Sequence, residues 1–244
     1  MKYVVAILLF ILPTSIARLL VFGSRYRIGR GCRIGFSIVL CERIAIEGVR
    51  VGHMNIIACD TFESKGGCVS HMNVIKGRFD LKMGEGSTIH NQNKITSPGF
   101  NPHKSALTIG ERVWIGVGHT FDLTSDIKIG NCTTFAGMGT QVWTHSFYFS
   151  QTSSKRCRVD KPVEVGDYCN IGSRSLICPG VRIATGVSLG AGTTASKSIT
   201  EAGLYVQQAL RKIEKFDAET VISRAESSED VLDDYHIIHE RLEG

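Results

Sequence analysis

The chain has 244 residues, enough for one large domain or two small ones and too many for a disulfide-stapled mini-protein. A hydrophobic fraction of 43% and a mean hydropathy near zero exclude a disordered chain. With 26 Gly, only 5 Pro and 25 Ile against 15 Leu, the composition argues against a helical bundle and for many short strands joined by tight corners.

Charge is distributed unevenly. The net value is +5, yet residues 214–244 hold ten acids and three bases, so residues 1–213 carry +12. A basic body of this kind suits an anionic ligand or surface. It carries no nucleic-acid motif or aromatic-interleaved basic helix, so no nucleic acid is expected as a partner. The eight cysteines form neither CxxC nor a zinc-type spacing, and they read as reduced core cysteines of a cytosolic protein with no metal.

Residues 1–24 form an apolar N-terminal segment. Between 3 and 22, sixteen of twenty side chains are apolar, interrupted by Pro13 and Arg18. The expectation is a membrane-associated helix, with Arg18, Arg25, Arg27, Arg30 and Arg33 meeting anionic headgroups. A cleaved signal peptide (Ser15-Ile16-Ala17 mimics a cleavage site) and a buried cap of the domain are the alternatives.

From residue 25 to 200 the dominant signal is a repeat. Val165, Ile171, Ile177, Ile183, Leu189 and Ala195 recur every six residues, each followed by a small residue: Gly166, Gly172, Cys178, Ala184, Gly190 and Ser196. Ile28-Gly29, Ile34-Gly35, Ile109-Gly110, Ile115-Gly116, Ile129-Gly130 and Phe135-Ala136 extend it. A period of six fits neither a helix nor a plain strand. It fits short strands with a turn at every repeat, whose stacked coils bury a continuous aliphatic column. His53-Met54-Asn55 and His71-Met72-Asn73 are eighteen residues apart, so one coil has three sides. His53, His71 and His90 read as a ladder on one wall.

Two stretches break the rhythm. Fourteen residues separate Ile95 from Ile109, around the turn-rich Ser97–Pro102, and residues 146–164 form a basic excursion with Lys155, Arg156, Arg158 and Lys161. The C-terminal extension, 201–244, is expected to start as a short extended segment followed by a helical start. It should end in a helix opening at Ser227, with Val231, Tyr235, Ile238 and Leu242 on one face.

Val165–Ile199 and Gly139–Phe147 (GTQVWTHSF) resemble the hexapeptide-repeat acyltransferases, closest to those that O-acetylate sugars of cell-surface polysaccharides. The likeness extends over about residues 25–213, with Asn170 where many members carry Trp. It implies an all-β solenoid, a left-handed parallel β-helix, and an enzyme transferring acetyl from acetyl-CoA to a sugar hydroxyl. Such a transfer needs a base near the reacting hydroxyl, which histidine suits with an ordinary pKa of about 6.5. By resemblance that base is His145. Counting repeats puts His145 in a small-residue slot, where either the register slips or the wall opens.

His119, with Asp122 three residues on, is a second catalytic candidate. The same count places His119 and His145 on neighbouring faces, so that His119 or Asp122 would bind the acceptor or orient the base across the cleft of a homotrimer. The alternative is a buried polar pair. Acetyl-CoA is expected along the corners at Gly172, Ser173, Gly190 and Ala191, with its phosphates at Lys197 and Arg211 as the resemblance implies. An antibiotic-modifying acetyltransferase, a non-catalytic scaffold or a γ-carbonic-anhydrase-like protein would share the fold. Because the acetyl donor is cytosolic, the protein is expected at the cytoplasmic side of a bacterial inner membrane.

Overall fold

Val165, Ile171 and Ile177 stand on three successive walls of a coil. Ile183, Leu189 and Ala195 occupy the same walls one coil later, in register with them. This arrangement comes from a computed structural model describing residues 1–207 except Phe22, Phe100 and Pro102, together with the backbone of 211–212, 231–232 and 235–236. Along each wall the strands pair in parallel with those of the coil before, giving a parallel β-solenoid with walls of eight, nine and eight such strands among the described residues, the second wall ending in a tenth strand that runs antiparallel. Numbered by their first-wall strands, coil 1 starts at Tyr26–Ile28, coil 2 at Arg43–Glu47, coil 3 at Thr61–Lys65 and coil 4 at Phe79–Met83. Coil 5 starts at Ser105–Ile109, coil 6 at Ile127–Ile129, coil 7 at Val163–Val165 and coil 8 at Arg182–Ile183.

Alternation along each short strand turns every second residue inward. On the third wall these are Val39, Ile57, Ile75, Ile95, Phe121, Val142, Ile177 and Ala195, none measurably exposed. On the second wall the residue after the inward one is small in most coils, as at Gly116, Ala136, Gly172 and Gly190, because it lies directly beneath the next coil. A Cβ on Gly172 would come 2.6 Å from the backbone N of Ala191. The corners are closed from inside by a buried polar ladder. Asn73 donates from Nδ2 to Asn55 Oδ1 (3.0 Å) and accepts from the Asn93 backbone N–H (2.9 Å).

Both breaks in the rhythm are departures from this frame. Phe79 and Ser105 are paired across 26 residues instead of eighteen, the excess lying in the loop after the third-wall strand Lys94–Thr96. Ile127 and Val163 are paired across 36, because the chain runs out as an antiparallel hairpin of His145–Phe149 against Arg156–Asp160.

The N-terminal segment is two helices, not the single one expected: α1 (Lys2–Ile11) and α2 (Thr14–Leu20). Pro13 causes the break, since proline drives the preceding residue out of the helical region, and Leu12 is extended (φ −100°, ψ 147°). Val5, Leu9 and Ala17 join the solenoid core, and Thr14 Oγ1 accepts the Ile34 N–H (2.8 Å) on an edge strand of coil 1. No helix among the described residues is long and apolar enough to cross a membrane.

The chain divides into two units, Met1–Lys212 and Ile213–Gly244. The first runs past the expected end of the repeat because Gly203–Val206 adds another strand to the second wall. Where a helical start was expected, Arg211–Lys212 is a strand that returns antiparallel to it and covers its edge. The expected terminal helix lies almost wholly outside the described residues. The four described there, Val231–Leu232 and Tyr235–His236, are paired as antiparallel strands.

Candidate active site at the corner leaving the third wall

The third-wall strand Thr120–Asp122 of coil 5 pairs with Gln141–Val142 of coil 6, with Phe121 opposite Val142. Asp122 and His145 therefore leave the same wall at the same corner, one coil apart. An imidazole cannot occupy the small-residue slot beneath another coil, and here no coil follows directly: the wall opens and the hairpin starts at His145 itself.

Asp122 is buried, and His145 has about a fifth of its side chain exposed. His145 Nδ1 lies 2.8 Å from Asp122 Oδ2 and 3.1 Å from Thr124 Oγ1. The Thr124 hydroxyl donates to Asp122 Oδ1 (2.8 Å), and the Thr144 backbone N–H donates to Oδ2 (3.1 Å). With those hydrogens committed to the carboxylate, Asp122 accepts Nδ1–H and His145 holds the tautomer whose Nε2 lone pair is free. Trp143 and Phe147 flank the ring edge-on, at centroid distances of 5.9 and 5.6 Å.

Behind this dyad the two departures from the repeat meet. Asn101 donates to the Thr124 carbonyl (2.8 Å) and accepts from Arg158 (3.3 Å), while Arg158 pairs with Asp160 (2.8 Å). Thr124, Thr144, Asn101 and Arg158 carry no sequence signal as a group. Each supports the site through a contact that only folding creates.

His119 stands at the other end of the same wall, not on a neighbouring face. It is wholly buried, its backbone N–H donates to Asn93 Oδ1 (2.9 Å), and its Nδ1 accepts the Thr140 N–H (3.0 Å). Burial pushes its pKa down to about 4, so the ring is neutral. The pair that does meet, Asp122 and His145, meets within one chain and not across an interface.

The residues expected to receive acetyl-CoA are divided between two corners. At the corner leaving the second wall, the Gly172 N–H donates to the Leu189 carbonyl and the Gly190 N–H to that of Tyr205. Those donors are used by the solenoid itself and cannot hold a pantetheine arm. Ser173 is half-buried, its Oγ accepting the Met138 N–H (3.2 Å), and Ala191 is exposed. Lys197 is exposed at the corner that carries the dyad, two coils further on. The Arg211 side chain lies outside the described residues.

An open groove of about 650 Å³ lies at the remaining corner, along Gly130, Gly166, Ala184 and Thr200, away from the dyad. No group of three or more His, Cys, Asp or Glu side chains that could hold a metal occurs among the described residues. His53 and His71 stack (5.6 Å), but each Nδ1 accepts a backbone N–H, and the next rung is Asn91 where His90 was expected.

No protein-family model matches the sequence, and no curated protein is significantly similar to it. The polySia-specific acetyltransferase NeuO superposes with a TM-score of 0.51 at 18% identity, over 83% of this chain and 96% of NeuO. The two share a fold. The N-acyltransferase AntD from Bacillus cereus, solved with dTDP and 3-hydroxybutyryl-CoA, matches at 20% identity and a TM-score of 0.38, over 82% of this chain and 88% of AntD. The polysialic acid O-acetyltransferase OatWY matches at 14% and 0.35, over 79% and 82%. These last two superpositions are too loose to argue from, and chemistry must be argued from the site.

Proposed function

We propose that the chain is an acetyl-CoA-dependent O-acetyltransferase acting on a hydroxyl of a sugar in a cell-surface polysaccharide or its precursor. The observation that carries this reading is the Asp122–His145 contact where the third wall opens into the hairpin. The fold shared with NeuO, an acetyltransferase specific for polySia, supports the substrate class.

In this reading His145 Nε2 removes the proton of the acceptor hydroxyl as its oxygen attacks the thioester carbonyl. Asp122 balances the imidazolium that forms. The tetrahedral intermediate expels the coenzyme A thiolate, which takes the proton back from Nε2. Nothing in the cycle needs a covalent enzyme intermediate. Ser173, Ala191, Lys197 and Arg211 remain the proposed donor contacts, the two cations for its phosphates, while Gly172 and Gly190 shape the corner. His119 is assigned a structural role, as a rung of the buried ladder.

The dyad lies on an open corner without an enclosing pocket, which suits a site completed by a second subunit of a homotrimer. The enzyme would work at the cytoplasmic side of the inner membrane, where acetyl-CoA is made.

His145→Ala should lower turnover at least about a hundredfold while coenzyme A still binds. Asp122→Asn, which offers Nδ1 a carboxamide, should impair turnover without weakening coenzyme A binding. Unimpaired turnover in His145→Ala would remove the base from this residue.

A further inference from the structure

The helical cap has two faces, and the solenoid uses only one of them. Val5, Leu9 and Ala17 are buried in the core, whereas Val4, Ile7 and Ile11 form a stripe on the outer side of α1, with Tyr3 beside it. Ile16, Leu19 and Leu20 continue that surface on α2. Phe36 and Ile38 of coil 1 extend it, with the Phe10 ring tilted against Phe36 at a centroid distance of 4.1 Å. Exposed apolar side chains so concentrated mark a surface that something else covers.

Charge identifies what covers it. Residues 1–59 contain eight Lys and Arg and only two Asp and Glu. One acid, Glu42, is paired with Lys2. Arg25, Arg27, Arg30 and Arg33 are exposed in coil 1, immediately behind the cap, and Arg43 and Arg50 in coil 2. An apolar face backed by arginines fits an anionic bilayer surface. A second copy of the cap would bring two arginine collars together. Spanning is excluded for these helices by length: ten and seven residues give about 15 and 10 Å, against a hydrocarbon core of about 30 Å.

We infer that the chain docks flat on an anionic lipid surface through α1, α2 and coil 1, and that the solenoid stands up from it. On the third wall, four strand spacings separate Ile38–Val39 in coil 1 from Thr120–Asp122 and five separate it from Gln141–Val142. At about 4.8 Å each, the dyad stands roughly 19–24 Å above coil 1. Resting on the proposed acetyl transfer, this selects a sugar held that far from the bilayer, within a glycan tethered to lipid at its other end.

Docking is tested on the full chain without acetyl-CoA, so its failure is distinct from failure of the enzymatic reading. The probes are vesicles of phosphatidylcholine alone and of equal parts phosphatidylcholine and phosphatidylglycerol. The wild type should co-sediment with the anionic vesicles. Binding should fall at least about tenfold in Arg25→Gln/Arg27→Gln/Arg30→Gln/Arg33→Gln, and likewise in Ile7→Glu/Leu19→Glu, whose altered positions are exposed and leave the core intact.

Brominated lipids report the orientation. A tryptophan introduced by Ile7→Trp should be quenched, while the native Trp114 and Trp143, beside the dyad coils, should not. Three results overturn the inference. One is wild-type protein left in the supernatant with both vesicles. Another is quenching of the native tryptophans, which would place the exposed aromatic tip of the hairpin, Phe147–Phe149, on the lipid. The third is a concentration-dependent dimer, abolished by Ile7→Glu/Leu19→Glu in the absence of lipid.

Discussion

His119 and His145 bracket a single wall, and their surroundings give them opposite work. His145 has one nitrogen committed to a buried carboxylate and the other at the surface, which is the arrangement a base needs. His119 has no exposed atom, and its ring must stay neutral for Nδ1 to accept from Thr140. Its pKa falls from 6.5 to about 4 on folding, so the unfolded chain takes up a proton at this residue before the folded one does. The stability tied to neutral His119 is complete above pH 6.5 and is lost as pH falls toward 4, by about 3 kcal/mol in all. Urea unfolding of the wild type and of His119→Asn across that range should show this loss in the first and not in the second. Equal slopes would mean that the ring is not held neutral. Reading both histidines from the sequence was possible because resemblance and a repeat count single them out. Their difference was not, because it depends on Asn93 and Thr140, one coil to either side.

At the scale of elements, the polar ladder from Ser37 through Asn55, Asn73 and Asn93 to His119 and Thr140 closes the corner between the second and third walls. Removing its middle rung with Asn73→Ala leaves the Asn93 N–H buried without its partner, while Asn55 Oδ1 keeps the Asn73 backbone N–H (2.9 Å). Such an orphan costs about 1–3 kcal/mol, so a loss of about 2 kcal/mol is expected in the unfolding free energy. A loss below about 1 kcal/mol would mean that the corner closes without the ladder. The eighteen-residue echo of His-Met-Asn made the coil legible, because stacking forces equivalent residues to recur. The same logic fails at both ends. The apolar N-terminal run has helical composition throughout, and only Pro13 marks that it folds into two helices. At the other end, Arg211–Lys212 is a strand because an edge needs a partner, a demand set by the preceding coil and invisible in local spacing.

For the whole molecule, a groove of about 650 Å³ lies at a different corner from the dyad, and Lys197 shares the dyad's corner from two coils away. A donor bridging those points along an open wall needs a second surface to enclose it. Light scattering should therefore give three times the chain mass, and dilution to monomers should abolish activity; a monomer fully active at nanomolar concentration would contradict this. What lies between chains leaves little trace in one sequence, since interface walls keep the same six-residue rhythm as free ones.

The central claim is acetyl transfer to a sugar through His145. The most direct measurement is coenzyme A release coupled to acetyl gain on isolated cell-surface glycans, with wild-type protein and His145→Ala side by side. An O-acetylated glycan and stoichiometric coenzyme A are expected from the wild type, and at least about a hundredfold slower formation of both from the variant. Acetyl-CoA left intact by the wild type, or equal rates from the two proteins, would contradict it.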